Sequence, residues 1–451
     1  MAADDKGPNN RELAEEYVRS RGSTKDHQGR MVRSLQFADE KWWRWEAGRY
    51  EEVSNLSVKD DVRDWLYQVH GRSDPKVPDY VYDHLRAFIR RGTSGLPPCW
   101  VMPLNAAERE HEWLAFRNGV LDLSAAIAGQ HTFVKPHPRW FSELVLPYEY
   151  DQNAKCPTWE KSVLDWVSGD EATYKFLQEF CGYILWPDNH LFETALFLEG
   201  SGSNGKTVLI NTLESVLGCD NVSSVGVHEF NQDFKLEGTL GKLLNVSPET
   251  PDGARLPVPV LRQFISGDKM AVNRKHQRVI NHRSRAKLIV AWNERPQASD
   301  RTEAFWRRVK LVPFKQNYIG RENRNLHREL IAEAPGILNW MIEGLQRVLK
   351  QKQWTSSDEI AECSKAFRAE ADHLRHWIKG NVISKEKGVV GKGTIYENYR
   401  DWAADQGFDA VRPEQFAKCL RQEFPNLGTS RRGSRRVPHF TGIDLRAVRR
   451  T

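Results

Sequence analysis

GSGSNGKT, Gly200 to Thr207, lies between the apolar run TALFLE and the helix-like run VLINTLESVLG. It fits the pattern G-x-x-x-x-G-K-[ST], and the strand before it and helix after it argue against a chance glycine-rich turn. Glycines there let successive backbone N–H groups converge on the β- and γ-phosphates of a nucleotide. The helix start adds the positive end of its dipole. The whole loop (Gly200, Ser201, Gly202, Ser203, Asn204, Gly205, Lys206 and Thr207) is therefore the expected nucleotide-binding element. Lys206 would neutralise phosphate charge and Thr207 would offer its hydroxyl to Mg²⁺.

Hydrolysis needs an acid at the end of a neighbouring strand, to hold the metal and orient water. GKLLNVSPET ends such a strand with Glu249, and Asp252 is a second, weaker candidate. KLIVAWNERP ends another strand with Asn293, whose neutral amide can hydrogen-bond water or γ-phosphate without adding negative charge. TEAFWRRVKLVPF places Arg307 and Arg308 at the start of a further strand. One of these arginines, reaching into a neighbouring copy's nucleotide, would stabilise transition-state charge. The sequence leaves open which.

Around this block the chain reads as three further pieces. Residues 1–155 form a mixed α/β region: the helices RELAEEYVRSR and VKDDVRDWLYQVHGR, and a hairpin in KWWRWEAGRYEEV turning at Ala47-Gly48. It continues with strands around an Asn118-Gly119 turn and in RWFSELVLPYEYD. Residues 156–345 alternate helices with buried apolar strands, the pattern of an α/β sheet with ligands at its strand ends. The stretch from Pro157 to Pro187 has helical periodicity. Residues 346–380 read as a charged helical linker. Residues 381–451 read as helix, helix and a hairpin with a basic tip, a winged-helix-like module.

Composition narrows the class. The chain has 451 residues, room for about two to four domains, and 39% apolar residues with many aromatics. No window of about 18 apolar residues occurs, so no membrane span is expected. MAADDKGPNN lacks the order of a secretory signal, and the six Cys have no metal-ligand spacing, so the expected place is the cytosol. The net charge of +6 says little, but its distribution says more. Arg274 to Lys287, RKHQRVINHRSRAK, is rich in Arg, Lys and His with no acid. SRRGSRRVPHF carries Arg431, Arg432, Arg435 and Arg436, also with no acid. Two such patches beside a phosphate loop point to nucleic acid.

The order GSGSNGKT, a strand ending in Glu, LRQFISGDKMAVNRKHQ, IVAWNERP, FWRRVKLVPF resembles superfamily 3 helicases, in particular their phage, plasmid and poxvirus primase-helicase branch. FRNGVLDL, LQEFCGYIL and the C-terminal YENYRDWAADQG…FAKCL…TGIDL extend the likeness over roughly residues 105–450. It implies an AAA+ phosphate-loop core working as a hexameric ring, with ATP and Mg²⁺ between subunits. It implies that Arg262 senses the neighbour's nucleotide. It places Arg274, Lys275 and His276 where the family's channel hairpin grips DNA. Two departures stand out: Pro248 precedes a single Glu249 where the family often has two acids, and the residues before the likeness are too few for a primase domain. Primer synthesis would fall to a separate primase.

The expectation is thus an ATP-driven replicative DNA helicase of a phage or mobile element, acting on single-stranded and forked DNA. An origin-binding initiator, using ATP mainly as an assembly switch and the basic C-terminal wing to read origin DNA, is the alternative. An AAA+ protein remodeller fits less well, given the basic patches and the lack of an aromatic pore loop near Lys275.

Overall fold

The structure is a computed structural model. It describes residues 8–26, 29–38, 40–46, 48–71, 75–89, 99–100, 113–136, 138–248, 256–275, 277–293, 295, 303–371, 373–406, 408, 410–432 and 436–446. The N-terminal helix Asn10–Ser20 is set by a capping box, in which Asn9 and Glu12 satisfy each other's backbone N–H groups. With helices Asn55–His70 and Val77–Ile89 it packs Leu13, Tyr17, Trp65 and Leu85 against a three-stranded antiparallel sheet. The hairpin read from KWWRWEAGRYEEV is present, Lys41–Glu46 pairing with Arg49–Val53. The aromatics of that first strand are mostly core: Trp42 is fully buried, and its indole N–H donates to Tyr82 at 2.9 Å.

Residues 113–150 form a small mixed sheet. Trp113–Phe116 and Gly119–Asp122 pair across the Asn118-Gly119 turn, as the sequence predicts. The single strand expected in RWFSELVLPYEYD is instead two short ones, Trp140–Phe141 and Val145–Leu146, in different sheets. Leu114, Phe116, Leu121 and Leu146 share one core with the helices that follow.

The helical stretch from Pro157 splits into α1 (Pro157–Trp166) and α2 (Glu171–Leu185). The break has a local cause. Ser168 and Gly169 both take left-handed φ, of 57° and 80°, and Asp170 then caps α2 through Thr173 N at 3.0 Å.

The central sheet is five-stranded and wholly parallel: β1 (Ala195–Glu199), β2 (Val222–Ser223), β3 (Leu244–Ser247), β6 (Lys287–Trp292) and β7 (Val309–Pro313). Their spatial order is β2-β3-β6-β1-β7. Between them run α3 (Lys206–Leu217), α4 (Val258–Ser266), the antiparallel hairpin β4 (Lys269–Val272) with β5 (Ile280–Arg283), and the single turn α5 (Glu303–Trp306). Side chains alternate across the sheet with period two. Leu196, Leu198, Ile289 and Val312 enter the core beneath α2 and α3, and Phe197, Val290 and Leu311 enter the core beneath α4. Both faces are covered, which is why β1 reads as an unbroken apolar run rather than an alternating one.

The chain continues through α6 (Leu326–Ala332), α7 (Ala334–Gln351) and α8 (Asp358–Ala371). α7 packs along α2 at close quarters. A Cβ on Gly344 would stand 2.2 Å from the Gln178 carbonyl oxygen, so only glycine fits there. The last unit is α9 (His373–Asn381), β8 (Val382–Gly391), α10 (Lys392–Asp405), α11 (Pro413–Glu423), β9 (Gly428–Arg432) and β10 (Val437–Leu445), with sheet order β8-β10-β9. Trp377, Tyr399, Phe416 and Phe440 fill its core. Among the described residues no helix is long and apolar enough to cross a membrane.

Candidate nucleotide and nucleic-acid sites

β1 leads to β2 at the far edge of the sheet, while its own neighbours are the later strands β6 and β7. A crevice opens outside the carboxyl ends of the strands at such a reversal of order. Gly200 to Gly205 lies there, and α3 starts at Lys206. Gly202 and Gly205 have φ of 97° and 98°, a region costly for any residue with a Cβ. Gly205 has a second constraint, because an added Cβ would sit 2.4 Å from the Trp166 ring. Gly205→Ala is therefore expected to destabilise the fold by about 2 kcal/mol, read as a lowered urea midpoint.

The loop is strapped to the segment after β7. Asn204 Nδ2 donates to the Phe314 carbonyl at 3.2 Å, and Tyr318 N donates to the Ser203 carbonyl at 2.8 Å. Lys206 is buried, and its Nζ donates to the Gly200 carbonyl at 2.6 Å and to Asn204 Oδ1 at 3.2 Å. It also donates to Asn293 Oδ1 at 3.3 Å. The structure thus brings together Lys206 and Asn293, which stand 87 residues apart in the chain. Both line a cavity of about 940 Å³, with Thr207 beside them. Glu249, its alternative Asp252, His276 (expected in the channel hairpin) and Arg435 lie outside the described residues. Pro248, the residue before Glu249, lines the same cavity.

Sequence reasoning missed the far wall. Trp166 of α1 forms the floor under Gly205, and Tyr318 donates to Asp165 Oδ2 at 2.5 Å, closing α1 onto the segment after β7. Both groups face the cavity with Arg321 and Asn323. Burial and the neighbouring Asp165 carboxylate raise the Tyr318 phenol above its ordinary value, so it stays a donor at neutral pH. Trp159, Val163 and Trp166 show helical spacing, which marks α1 as amphipathic but cannot show that one ring also supports a loop 39 residues later. Glu214, two turns along α3, also lines the cavity, and burial raises its carboxyl.

Arg307 and Arg308 separate clearly. Arg307 has a side chain 60% exposed and meets Glu193 at 3.3 Å. Arg308 is 8% exposed. It donates to Ser266 Oγ at 2.9 Å and to the Ala304 carbonyl, and it pairs with Glu193. Burial lowers its pKa, the Glu193 carboxylate opposes that shift, and the charges of Arg307 and Arg262 add to it. The three arginines therefore form one cationic cluster. It sits at the amino end of β7, and the Gly200–Gly205 loop sits at the carboxyl end of the adjacent, parallel β1. Five strand residues separate the two ends, roughly 16 Å.

The hairpin β4–β5 projects Lys269, Lys275, Arg278 and Arg283 into solvent, with Arg274 half-buried at its turn. Two acids on the preceding segment fix the turn: Lys275 N donates to Glu237 Oε2 at 3.1 Å and Asn273 Nδ2 to Asp233 Oδ1 at 2.8 Å. In the last unit Arg431, Arg432 and Arg436 are exposed around the β9–β10 turn.

Comparison with known proteins gives three family matches. Residues 26–168 match "D5 N terminal like", residues 198–308 match a family of unknown function (DUF5906), and residues 372–448 match the RFX DNA-binding domain. A Frog virus 3 (isolate Goorha) protein named "Putative helicase 022R" is 22% identical over 268 residues, which is 51% of this chain and 26% of the viral protein. The match thus spans about a quarter of that relative. Among solved structures, the apo NrS-1 C terminal region (305-718) superposes with a TM-score of 0.52 at 11% identity, covering 96% of this chain and 99% of that one. An A form of the same region gives a TM-score of 0.50 at 10% identity, over 97% and 100%. These likenesses extend the fold over nearly the whole chain. In sequence, the chain is similar to D5-like viral proteins.

Proposed function

We propose that this chain is an ATP-driven DNA helicase of the superfamily 3, AAA+ type. It assembles as a ring, a hexamer in this reading, and hydrolyses ATP between adjacent copies. The observation that carries this is the split of the site. Lys206 and Asn293 meet at the carboxyl end of β1, while the only exposed member of the Arg307–Arg308 pair stands at the opposite end of the same strand pair. Arg307 cannot reach its own chain's phosphate loop, but it can reach that of a copy stacked head to tail. The name of the viral relative and the D5-like match agree with this reading.

The α3 N-terminus and Lys206 would bind the triphosphate, and Asn293 would orient the γ-phosphate or the attacking water. Thr207 and Glu249 would hold Mg²⁺, which supplies neutralisation of the phosphate oxygens when bound. Glu249 would activate water, and Arg307, with Arg262 nearby, would stabilise charge from the adjoining copy. Lys206, whose Nζ donates to the Gly200 carbonyl and to Asn293 Oδ1, would turn toward phosphate. The test is oligomeric state and hydrolysis together. Light scattering with an ATP analogue and forked DNA should give a ring, and a monomer hydrolysing at full speed would overturn the reading.

The hairpin cations would follow the phosphate backbone of single-stranded DNA inside the ring. Lys275→Ala/Arg278→Ala should lower the slope of log affinity against log salt by about 1–2 and stop strand separation, as read by fluorescence anisotropy and a fork-displacement assay. The origin-binding alternative draws on one observation of its own, the RFX DNA-binding match over the unit that exposes Arg431, Arg432 and Arg436. In that reading the unit acts as a winged helix. Displacement of a fork lacking any origin sequence separates the two readings.

A further inference from the structure

α8 runs along β7, the edge strand of the sheet, and Leu311 N donates to its Ser364 Oγ at 3.1 Å. Its Phe367 is buried, 1% exposed. The Phe367 ring lies 5.1 Å from Trp292 on one side and 5.1 Å from Trp306 on the other. Trp292 immediately precedes Asn293 and stacks at 4.9 Å on Phe197 of β1. Trp306 immediately precedes Arg307. A continuous row of rings therefore runs from the phosphate-loop strand, through the strand bearing Asn293, to the arginine cluster.

Two polar links reinforce the row. Arg295, two residues past Asn293, forks onto Glu199 at the end of β1, at 2.5 and 2.9 Å, and lies over the Phe367 ring at 5.9 Å. Arg368 of α8 pairs with Glu303 of α5 at 2.6 Å. α5 is a single turn of four residues, too short to hold its own position. What Trp306 packs against therefore helps to set where Arg307 stands, together with the buried Phe305 and Arg308. Among the described residues the buried Trp292 indole N–H has no hydrogen-bond partner, and the ring packs against Phe197 and Phe367.

We propose that Phe367 is a positioning residue: wedged between Trp292 and Trp306, it holds Arg307 where an adjoining copy's triphosphate can be reached, and ties that position to the strand that carries Asn293. This rests on the proposed site between copies. Packed ring clusters switch between discrete arrangements rather than deform smoothly, so a shift of the Asn293 strand would reach Arg307 as a step.

Mixed assemblies of the full chain test it. Lys206→Ala keeps Arg307 but lacks a working loop, and Arg307→Ala keeps the loop but lacks the arginine. Mixing the two should restore hydrolysis at the hybrid interfaces. Phe367→Leu placed on the Lys206→Ala chain, the arginine donor, should lower the restored rate about tenfold. Placed on the Arg307→Ala chain, it should lower the restored rate clearly less, by about threefold at most, because Asn293 there is also held by Lys206 Nζ. Arg368→Gln, a half-exposed change, should show the same asymmetry at about threefold if Phe367→Leu folds poorly. A purely structural role would give equal losses on either carrier, and equal losses or none would overturn the positioning role. If the parent mixture restores nothing, the site between copies fails, and this role fails with it.

Discussion

Lys206→Ala is expected to abolish ATP hydrolysis, by about a thousandfold or more, while leaving the protein folded. Three neutral oxygens accept from Nζ, those of Gly200, Asn204 and Asn293, and the side chain is 6% exposed. Burying an ammonium carries a desolvation cost that its removal relieves, so the substitution should shift the melting temperature by no more than about 3 °C. Lys206→Arg should fare little better, because a planar guanidinium cannot replace a compact ammonium in a loop that folds back on Gly200. Calorimetric titration with a slowly hydrolysed ATP analogue, beside a phosphate-release assay, reads both effects. Hydrolysis within about tenfold of the parent would place the reaction elsewhere in the molecule.

The loop was legible because GSGSNGKT sets its glycines between an apolar strand and a helix, where positive φ is needed. Gly205, a fixed position of the pattern, takes a positive φ, and so does Gly202 at a variable one. The apolar runs TALFLE and KLIVAW became strands buried on both faces, as unbroken runs should. Other features were hidden for physical reasons. Trp166 supports Gly205 through a contact between helix and loop, and helical periodicity gives the buried face without naming its neighbour. β8, VISKEKGVVG from Val382 to Gly391, was not foreseen. Charges and two glycines suppress the alternation that marks a strand, and its register shifts between Ser384 and Val389. The break between α1 and α2 was concealed by apolar spacing that happens to continue across Ser168-Gly169, although the Gly-Asp pair is itself a stop-and-cap signal.

Adjacent arginines show the limit most clearly, and they carry the second large effect. Arg307→Ala should cost about 10³-fold or more in hydrolysis with little change in stability. Its side chain is mostly exposed, and its contact with Glu193 is a surface ion pair of the kind worth about 0–1 kcal/mol. Arg308→Ala should do the reverse. It removes a buried guanidinium that serves Ser266, the Ala304 carbonyl and Glu193 together, leaving Glu193 without its closest cation. Breaking such a pair costs about 3 kcal/mol, a fall of roughly 10 °C in melting temperature for a domain of this size. Below that transition, hydrolysis should persist within about tenfold of the parent, the residual loss reflecting a displaced α5. Sequence could not divide these roles, because neighbours in a turn point to opposite sides and only packing decides which side is core. The decisive comparison is thermal melting with turnover on both variants. If Arg308→Ala melts normally and is inactive while Arg307→Ala is active, the assignment must be exchanged. The reach between copies would then need a side chain that must first leave Glu193.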